Sequence, residues 1–136
     1  MILVDTSVWV EFDRATGSPA EARLAGLIES VEPVAVTEPV VMEVLAGARD
    51  EAGERSLRRL LTRFTLLRFE PVADFDGAVR IYRSCRSQGV TPRGLIDCLI
   101  ASVAMRTGAR LLAHDRDLAV IAAVMDLEMD EASLPA

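Results

Sequence analysis

The chain has 136 residues, of which 51% are apolar and 26% are charged, and its formal net charge is −6. A chain of this length and composition can bury the core of one domain, residues 1–136, without disulfides or a structural metal, and it is too apolar to be intrinsically disordered. The longest apolar run, Leu118–Met125, is too short to span a bilayer, and the N-terminus reaches Asp5 without a basic region. We therefore expect a cytoplasmic protein with no membrane contact.

Short apolar or β-branched runs alternate with helical patterns along the whole chain. Strands are predicted at 1–4, 34–37, 65–69 and 110–113, with a short fifth strand at 127–129. Helices are predicted from a cap at Asp5 to Phe12 and at 20–30, 39–47, 54–64, 74–87, 95–107 and 117–125. This order predicts an α/β domain with a mostly parallel sheet of four to five strands and helices on both faces.

The charges are distributed unevenly. Residues 1–48 carry 2 arginines against 8 acids, residues 49–93 carry 10 against 6, and residues 94–136 carry 3 against 7. On the helix predicted at 54–64, four arginines share one face: Arg55, Arg58, Arg59 and Arg63. This face has two interpretations, a solvated helix surface or a guanidinium stripe that binds phosphates, and composition leaves both open.

Several chemistries are excluded by the residue types. All basic residues are arginine, so mechanisms that need a lysine nucleophile, a Schiff base or a P-loop lysine are ruled out. Cys85 and Cys98 with the single histidine, His114, cannot form a four-ligand zinc site without carboxylates, so we interpret both cysteines as small buried hydrophobes. One histidine also excludes a metal-free mechanism with a pair of histidines, and we interpret His114 as a satisfied residue at a strand end.

Four acids are predicted to meet at one edge of the sheet. Asp5 and Asp115 follow predicted strands, and sites in open α/β sheets form beyond the carboxyl ends of the strands. Glu43 lies in the helix after the second strand, and Asp97 lies in the first turn of an otherwise apolar helix. An acid in such surroundings needs a partner, because burying an unpaired charge costs several kcal/mol.

Each acid alone also has a structural interpretation. Asp5 can cap a helix, Glu43 can be solvated, Asp97 can be a charge at a helix start, and Asp115 with Asp117 can cap the last helix. Together, acids at one edge would repel one another and raise their pKa values unless a cation lay among them. Ligation by oxygen alone suits Mg²⁺ or Mn²⁺ rather than Zn²⁺.

Four segments carry a family resemblance: MILVDTSVW, TEPVVMEVLAGAR, GLIDCLIASVAMRTGA and LLAHDRDL. In this combination and order they resemble the PIN-domain ribonucleases, and the short chain is similar to the VapC toxins of bacterial toxin–antitoxin pairs. The resemblance covers essentially the whole chain and implies a three-layer α/β/α sandwich. One departure from relatives is Ala113-His114, where a small hydroxylated residue is common.

The resemblance implies metal-dependent endonucleolytic cleavage of RNA that leaves 5′-phosphate and 3′-hydroxyl ends. The implied catalytic acids are Asp5, Glu43, Asp97 and Asp115. The implied ligands of Mg²⁺, or of Mn²⁺ in its place, are Asp5, Asp97, Asp115 and Asp117. Thr6 or Ser7 would supply the hydroxyl beside the first acid, and Asp97 or Glu43 would orient or deprotonate the attacking water.

The resemblance also implies partners. Related toxins are held inactive by a cognate antitoxin whose C-terminal segment occupies an apolar groove, for which Trp9 and Phe12 are candidates here; both are first interpreted as core or interface residues. A homodimer, or a larger toxin–antitoxin assembly, is expected.

Two other functions compete with this one. Receiver domains and haloacid-dehalogenase-type phosphatases share strand-end aspartates, but both use a lysine that is absent here, and the phosphatase pattern needs an acid where Ser7 stands. A catalytically inactive PIN-like domain that only binds RNA or a protein partner is the nonenzymatic alternative, and the intact set of acids argues against it.

Overall fold

A parallel four-stranded sheet lies at the centre of the computed structural model, which describes all 136 residues. The strands are β1 (Ile2–Val4), β2 (Val34–Val36), β3 (Thr65–Leu66) and β4 (Arg110–Leu112), in the spatial order β3-β2-β1-β4. The helices are α1 (Thr6–Arg14), α2 (Pro19–Glu29), α3 (Glu38–Ala46), α4 (Glu51–Leu61), α5 (Pro71–Ser87), α6 (Leu95–Thr107) and α7 (Arg116–Met125). The predicted α/β class and the alternation of strands and helices are confirmed.

Strand β1 organises the core. It pairs in parallel with β2 on one side and β4 on the other, and all three of its side chains are fully buried, as its uninterrupted apolar sequence requires. Helices α1–α4 contact one another, as do α5–α7, and the two groups complete a three-layer α/β/α sandwich. Helix α3 also contacts α6, so Glu43 and Asp97 lie on neighbouring helices.

The strand order creates a crevice beside β1. The chain leaves β1 through α1 and α2 to β2 on one side, whereas it returns from β3 through α5 and α6 to β4 on the other side. The carboxyl ends of β1 and β4 therefore border a point at which the strand order reverses, the usual position of a site in an open α/β sheet. Asp5 directly follows β1, and Asp115 follows β4 by a short turn.

One helix has its predicted boundaries and other elements are corrected. Helix α6 has its predicted bounds, because Gly108, with a φ of 70°, ends it in the left-handed conformation. The predicted fifth strand is reduced to one bridge between Leu111 and Met129, and β3 has only two residues at the exposed edge of the sheet. Helix α4 begins at Glu51 and ends at Leu61, so it extends three residues earlier than predicted and stops before Arg63.

The two cysteines are free and buried, as predicted. Burial, with a smaller contribution from the neighbouring Cys85, raises the pKa of the Cys98 thiol to about 11, which keeps it protonated at neutral pH. None of the helices combines the length and the apolar character that crossing a membrane requires.

Candidate active site

Asp5 is a buried carboxylate with one oxygen that has no partner. It caps α1, and its Oδ2 accepts hydrogen bonds from the Ser7 backbone N–H at 3.0 Å and the Ser7 hydroxyl at 2.6 Å. Its Oδ1 is buried without any hydrogen bond, and the residue is only 3% exposed. Burial raises the pKa of Asp5 to about 6, although the Ser7 hydrogen bonds oppose the shift and nearby Glu43 and Asp115 add to it.

The hydroxyl groups of Thr6 and Ser7 connect the elements that carry the acids. The Ser7 hydroxyl, besides donating to Asp5, accepts a hydrogen bond from the His114 backbone N–H at 2.9 Å, which ties the end of β1 to the turn after β4. The Thr6 Oγ1 donates to Glu43 Oε1 at 2.8 Å across 37 residues of sequence. Both residues thus lie where the sequence predicted a hydroxyl beside the first acid.

Asp97 lies in the first turn of α6 and is the most perturbed acid of the site. Burial, followed by the negative charges of Asp5, Asp115, Glu43 and Asp117, raises the pKa of Asp97 to about 8. A carboxylic acid shifted this far is strained as an anion, and a bound cation would relieve that strain. Asp97 is therefore close enough to the four other acids for their charges to disfavour its anion.

The last two acids are linked to an arginine. Asp115 caps α7 through a hydrogen bond from the Asp117 N–H to its Oδ1 at 3.1 Å. Asp117 Oδ2 accepts from Arg93 twice, from its Nε at 2.9 Å and its backbone N–H at 3.2 Å. The sequence predictions missed Arg93, which they placed only in a loop. Its position two residues before the helix that carries Asp97 is a signal that could have identified it.

Four of these acids and Arg93 line one open cavity of about 510 Å³, whereas the buried Asp5 is not among the lining residues. Its lining residues are Glu43, Arg93, Gly94, Leu95, Ile96, Asp97, Asp115 and Asp117. No three acidic, histidine or cysteine side chains are already arranged as a metal-binding group. The donor set nonetheless fits a hard divalent cation, because it offers only oxygens, includes the unpartnered Oδ1 of Asp5, and raises the pKa of two of its acids through burial and mutual repulsion.

Comparison with known proteins identifies the family. Residues 2–124 match the family model of the PIN domain. The VapC ribonuclease Mb1587 of Mycobacterium bovis is 43% identical over 129 residues, which cover 94% of this chain and 96% of that protein. The chain belongs to the VapC ribonucleases of the PIN-domain family.

Other relatives agree with this assignment. Ribonuclease VapC32 of Mycobacterium tuberculosis is 38% identical to this PIN domain over 121 residues, 87% of each protein. Among solved structures, VapBC2 from Rickettsia felis, bound to a DNA fragment from its promoter, superposes with a TM-score of 0.76 at 18% identity and covers 98% of this chain and 99% of its own. VapBC-1 from Haemophilus influenzae gives a TM-score of 0.75 at 19% identity, with 97% and 98% covered. At these identities the two structures support the fold.

Trp9 belongs to the core of this PIN domain, which confirms the first interpretation of this residue and corrects its candidacy for the antitoxin groove. It is 1% exposed, its Nε1 donates to the Val4 carbonyl at 3.3 Å, and its ring packs against Phe12 and Phe64 with centroid distances of 6.5 and 5.3 Å. A side chain this buried offers almost no surface to a partner. Phe12 is half-buried and remains a candidate for the antitoxin groove.

The predicted arginine stripe is only partly formed. Arg55, Arg58 and Arg59 are exposed on α4, whereas Arg63 lies beyond the C-terminal end of that helix. Arg58 donates from its Nε to Glu54 Oε1 at 2.8 Å, so one of the four arginines predicted to share this face is paired with an acid. The His114 backbone N–H donates to the Ser7 hydroxyl, and its Nε2 lies 3.4 Å from Glu11 Oε1 without a hydrogen bond, so its interpretation as a satisfied residue stays a prediction.

Replacing Ser7 with alanine should destabilise the site. The change removes the hydroxyl that donates to Asp5 and accepts from His114, which we expect to lower the free energy of unfolding by about 1–2 kcal/mol. It should also raise the pKa of Asp5 further, because the hydroxyl hydrogen bond lowers it. Urea unfolding at neutral pH measures the loss, with Ser56→Ala on the exposed face of α4 as control. Equal midpoints for the two variants would contradict the role of Ser7.

Proposed function

We propose that this chain is a divalent-metal-dependent endoribonuclease that cleaves RNA with water, leaves 5′-phosphate and 3′-hydroxyl ends, and acts as the toxin of a toxin–antitoxin pair. Its membership of the VapC ribonucleases carries the activity on RNA. The observation that carries the metal dependence is the buried Asp5 carboxylate, with its unpartnered Oδ1, among four further acids. Because its substrate is RNA, we also place the protein in the cytoplasm.

Asp5, Asp97 and Asp115 are the proposed ligands of Mg²⁺ or Mn²⁺, with Asp117 at the periphery of the site. Such an ion, when bound, neutralises the scissile phosphate, lowers the pKa of attacking water and stabilises the leaving oxyanion. The ionic radius and hard-ligand preference of Mg²⁺ and Mn²⁺ suit carboxylates, and burial of Asp5 gives that ligand a fixed position.

The residues of the chain orient the reaction. Ser7 holds Oδ2 of Asp5 and leaves the buried Oδ1 without a hydrogen-bond partner, and Thr6 holds Oε1 of Glu43. Glu43 Oε2 makes no hydrogen bond, and the residue lines the cavity, so we assign Glu43 the task of orienting and deprotonating the attacking water, with Asp97 primarily a ligand. The sequence alone left this choice open.

Binding of RNA by an acidic protein needs positive surfaces outside the site. The exposed Arg55, Arg58 and Arg59 of α4, with Arg63 just after it, are the proposed contacts for the RNA backbone. Their guanidinium groups bind phosphates in a bidentate manner, and the resulting affinity should fall steeply with salt concentration.

We propose a cognate antitoxin and a second copy of the chain as partners. The solved structures similar in fold include toxin–antitoxin complexes, which supports an antitoxin and a larger assembly. Helix α5 exposes an apolar stripe of Val72, Phe75 and Val79, which are 89%, 58% and 52% exposed. Their spacing places them on one face of the helix, and a homodimer would cover them. The inactive, binding-only alternative gains no support from the site, since every predicted acid is present.

The function is tested by supplying and removing the metal. Purified protein is incubated with a pool of small RNAs in Mg²⁺, in Mn²⁺ and in EDTA, and the ends of the fragments are mapped. Discrete fragments with 5′-phosphate ends that disappear in EDTA support the proposal. Cleavage that persists in EDTA, or 2′,3′-cyclic phosphate ends, would rule out the metal mechanism.

Metal binding should also be visible without RNA. We expect Mn²⁺ at a concentration of 100 times Kd to stabilise the wild-type protein by about 2.7 kcal/mol. This stabilisation should appear as a higher melting temperature. Asp5→Asn should lose this increase and yet fold, because asparagine caps a helix as well as aspartate does. Asp13→Asn, an exposed change on the same helix, should keep it. An unchanged response in Asp5→Asn would show that Asp5 is not a ligand.

A further inference from the structure

Arg93 is the only basic residue that lines the acidic cavity. Its side chain is 79% exposed, yet its position is well defined at one end. The preceding Pro92 is buried, and both the backbone N–H and the Nε of Arg93 donate to the same oxygen of Asp117. The base of this side chain is therefore anchored although most of it faces solvent.

The two Nη atoms at the other end of the guanidinium group make no hydrogen bond. One of them lies 3.8 Å from Asp115 Oδ1, which is within reach of an ion pair but beyond hydrogen-bond distance. Arginine–carboxylate pairs are frequently bidentate, with two parallel N–H groups on the carboxylate, whereas the Arg93 guanidinium donates to Asp117 only from Nε. Two N–H groups thus project a fork of the geometry that a phosphate accepts.

Binding of RNA at the acidic cavity requires a positively charged group such as Arg93. Four of its lining residues are acids, and their field opposes the approach of a polyanion. A metal ion can neutralise the acids but contacts only the phosphate at the reaction centre, so an adjacent phosphate of the strand would still face negative charge. Arg93 places a permanent positive charge at this point.

We propose that Arg93 binds a backbone phosphate of the RNA next to the scissile bond and that Asp117 is the positioning residue that holds Arg93 in place. This inference rests on the proposed function, because it takes RNA to be the substrate. It gives Asp117 a task other than the metal ligation predicted from the sequence.

The role of Arg93 can be tested without cleavage by measuring RNA binding in EDTA. The probe is a short, fluorescein-labelled single-stranded RNA of mixed sequence, and its anisotropy is followed over a range of salt concentrations. We expect Arg93→Gln to weaken binding about three- to tenfold and to reduce the slope of log K against log salt by about 0.7, the value for one phosphate contact on a single strand. Arg93→Lys should keep most of the slope but lose affinity, since it lacks the fork. Arg83→Gln, which removes an exposed arginine of α5 that makes no ion pair, is the matched control.

Asp117→Ala separates positioning from plain electrostatics. If Asp117 acts only as a negative charge, Asp117→Ala strengthens RNA binding by the same factor in the wild-type background and in the Arg93→Gln background. If Asp117 positions Arg93, Asp117→Ala weakens binding in the wild-type background and strengthens it in the Arg93→Gln background. Equal effects in the two backgrounds would overturn the positioning role, and equal losses in Arg93→Gln and Arg83→Gln would overturn the phosphate contact.

Cleavage with Mn²⁺ by the same proteins distinguishes this inference from the proposed function. If the wild-type protein cleaves and Arg93→Gln binds and cleaves equally well, only the assignment of Arg93 fails. If the wild-type protein does not cleave, the nuclease proposal fails, and the binding series still decides for or against Arg93.

Discussion

Asp97→Asn is expected to abolish RNA cleavage while making the metal-free protein more stable. Asparagine has the same shape but cannot carry the negative charge that a divalent cation requires, so we expect activity to fall on the order of 10²–10³-fold, the usual cost of losing one electrostatic stabiliser. Stability should rise because burial and four neighbouring acids disfavour the Asp97 anion, whose pKa is raised to about 8. The melting temperature in EDTA at pH 8 should increase by at least about 3 °C, the shift that about 1 kcal/mol of stabilisation produces in a domain of this size.

The pH dependence of this gain has a defined sign. The folded protein holds the Asp97 proton up to about pH 8, whereas the unfolded chain releases it near pH 4, so wild-type stability should decrease between these values as pH rises. The difference between Asp97→Asn and wild type should therefore vanish near pH 4 and be largest near pH 8. Melting curves across this range, with Asp13→Asn as an exposed control, measure it. Loss of activity together with loss of stability would instead indicate a folding defect.

The acidic site could be predicted because it follows from topology. Asp5 comes directly after an apolar run and Asp115 comes shortly after another, and parallel strands place their carboxyl ends at one edge of a sheet. Asp97 stood out because an acid in an apolar helix needs a partner. The structural interpretations were also correct, since Asp5 and Asp115 do cap helices. A cap and a candidate ligand are here the same carboxylate, so the two interpretations did not exclude each other.

Contacts between distant parts of the chain were beyond sequence reasoning. The anchoring of Arg93 depends on Asp117, which lies 24 residues later and on another helix. Trp9 lies on a helix face that suits either a core or a groove, and only the packing of Phe64 against it decides for the core. Helix α4 extends earlier than predicted because the Asp50 side chain caps it, accepting from the Gly53 N–H at 2.7 Å.

Asp74 is the clearest example of a residue whose contacts with a distant part of the chain could not be predicted from the sequence. Its position predicted a helix start, but α5 begins at Pro71 and the carboxylate is completely buried against α6. Its Oδ1 accepts from the Ser102 hydroxyl at 2.8 Å, and its Oδ2 accepts from Arg106 Nη2 at 2.8 Å and from the Glu70 N–H at 2.8 Å. A side-chain carbon at Gly77 would lie 2.2 Å from the Ser102 Oγ, so the close packing of the two helices depends on that glycine.

Asp74→Ala is expected to be the most destabilising of these substitutions. It leaves the buried Ser102 hydroxyl and the partly exposed Arg106 without their partner, which we expect to lower the free energy of unfolding by about 3 kcal/mol. Asp76→Ala is the matched control, because its pair with Arg80 lies on the same helix but is exposed, and it should cost less than about 1 kcal/mol. Urea unfolding of both variants at neutral pH gives the comparison.

The pH dependence provides a second test of the same contact. Burial raises the pKa of Asp74, but the hydrogen bonds from Arg106, Glu70 and Ser102 outweigh it and hold the pKa below its usual value. The stabilisation is therefore complete above the unfolded pKa of about 4 and is lost as the pH falls through the lower folded value. The gap between wild type and Asp74→Ala should narrow only in acid below about pH 4. Equal costs for Asp74→Ala and Asp76→Ala, or a gap that narrows as pH rises instead, would mean that the ion pair does not hold α5 against α6.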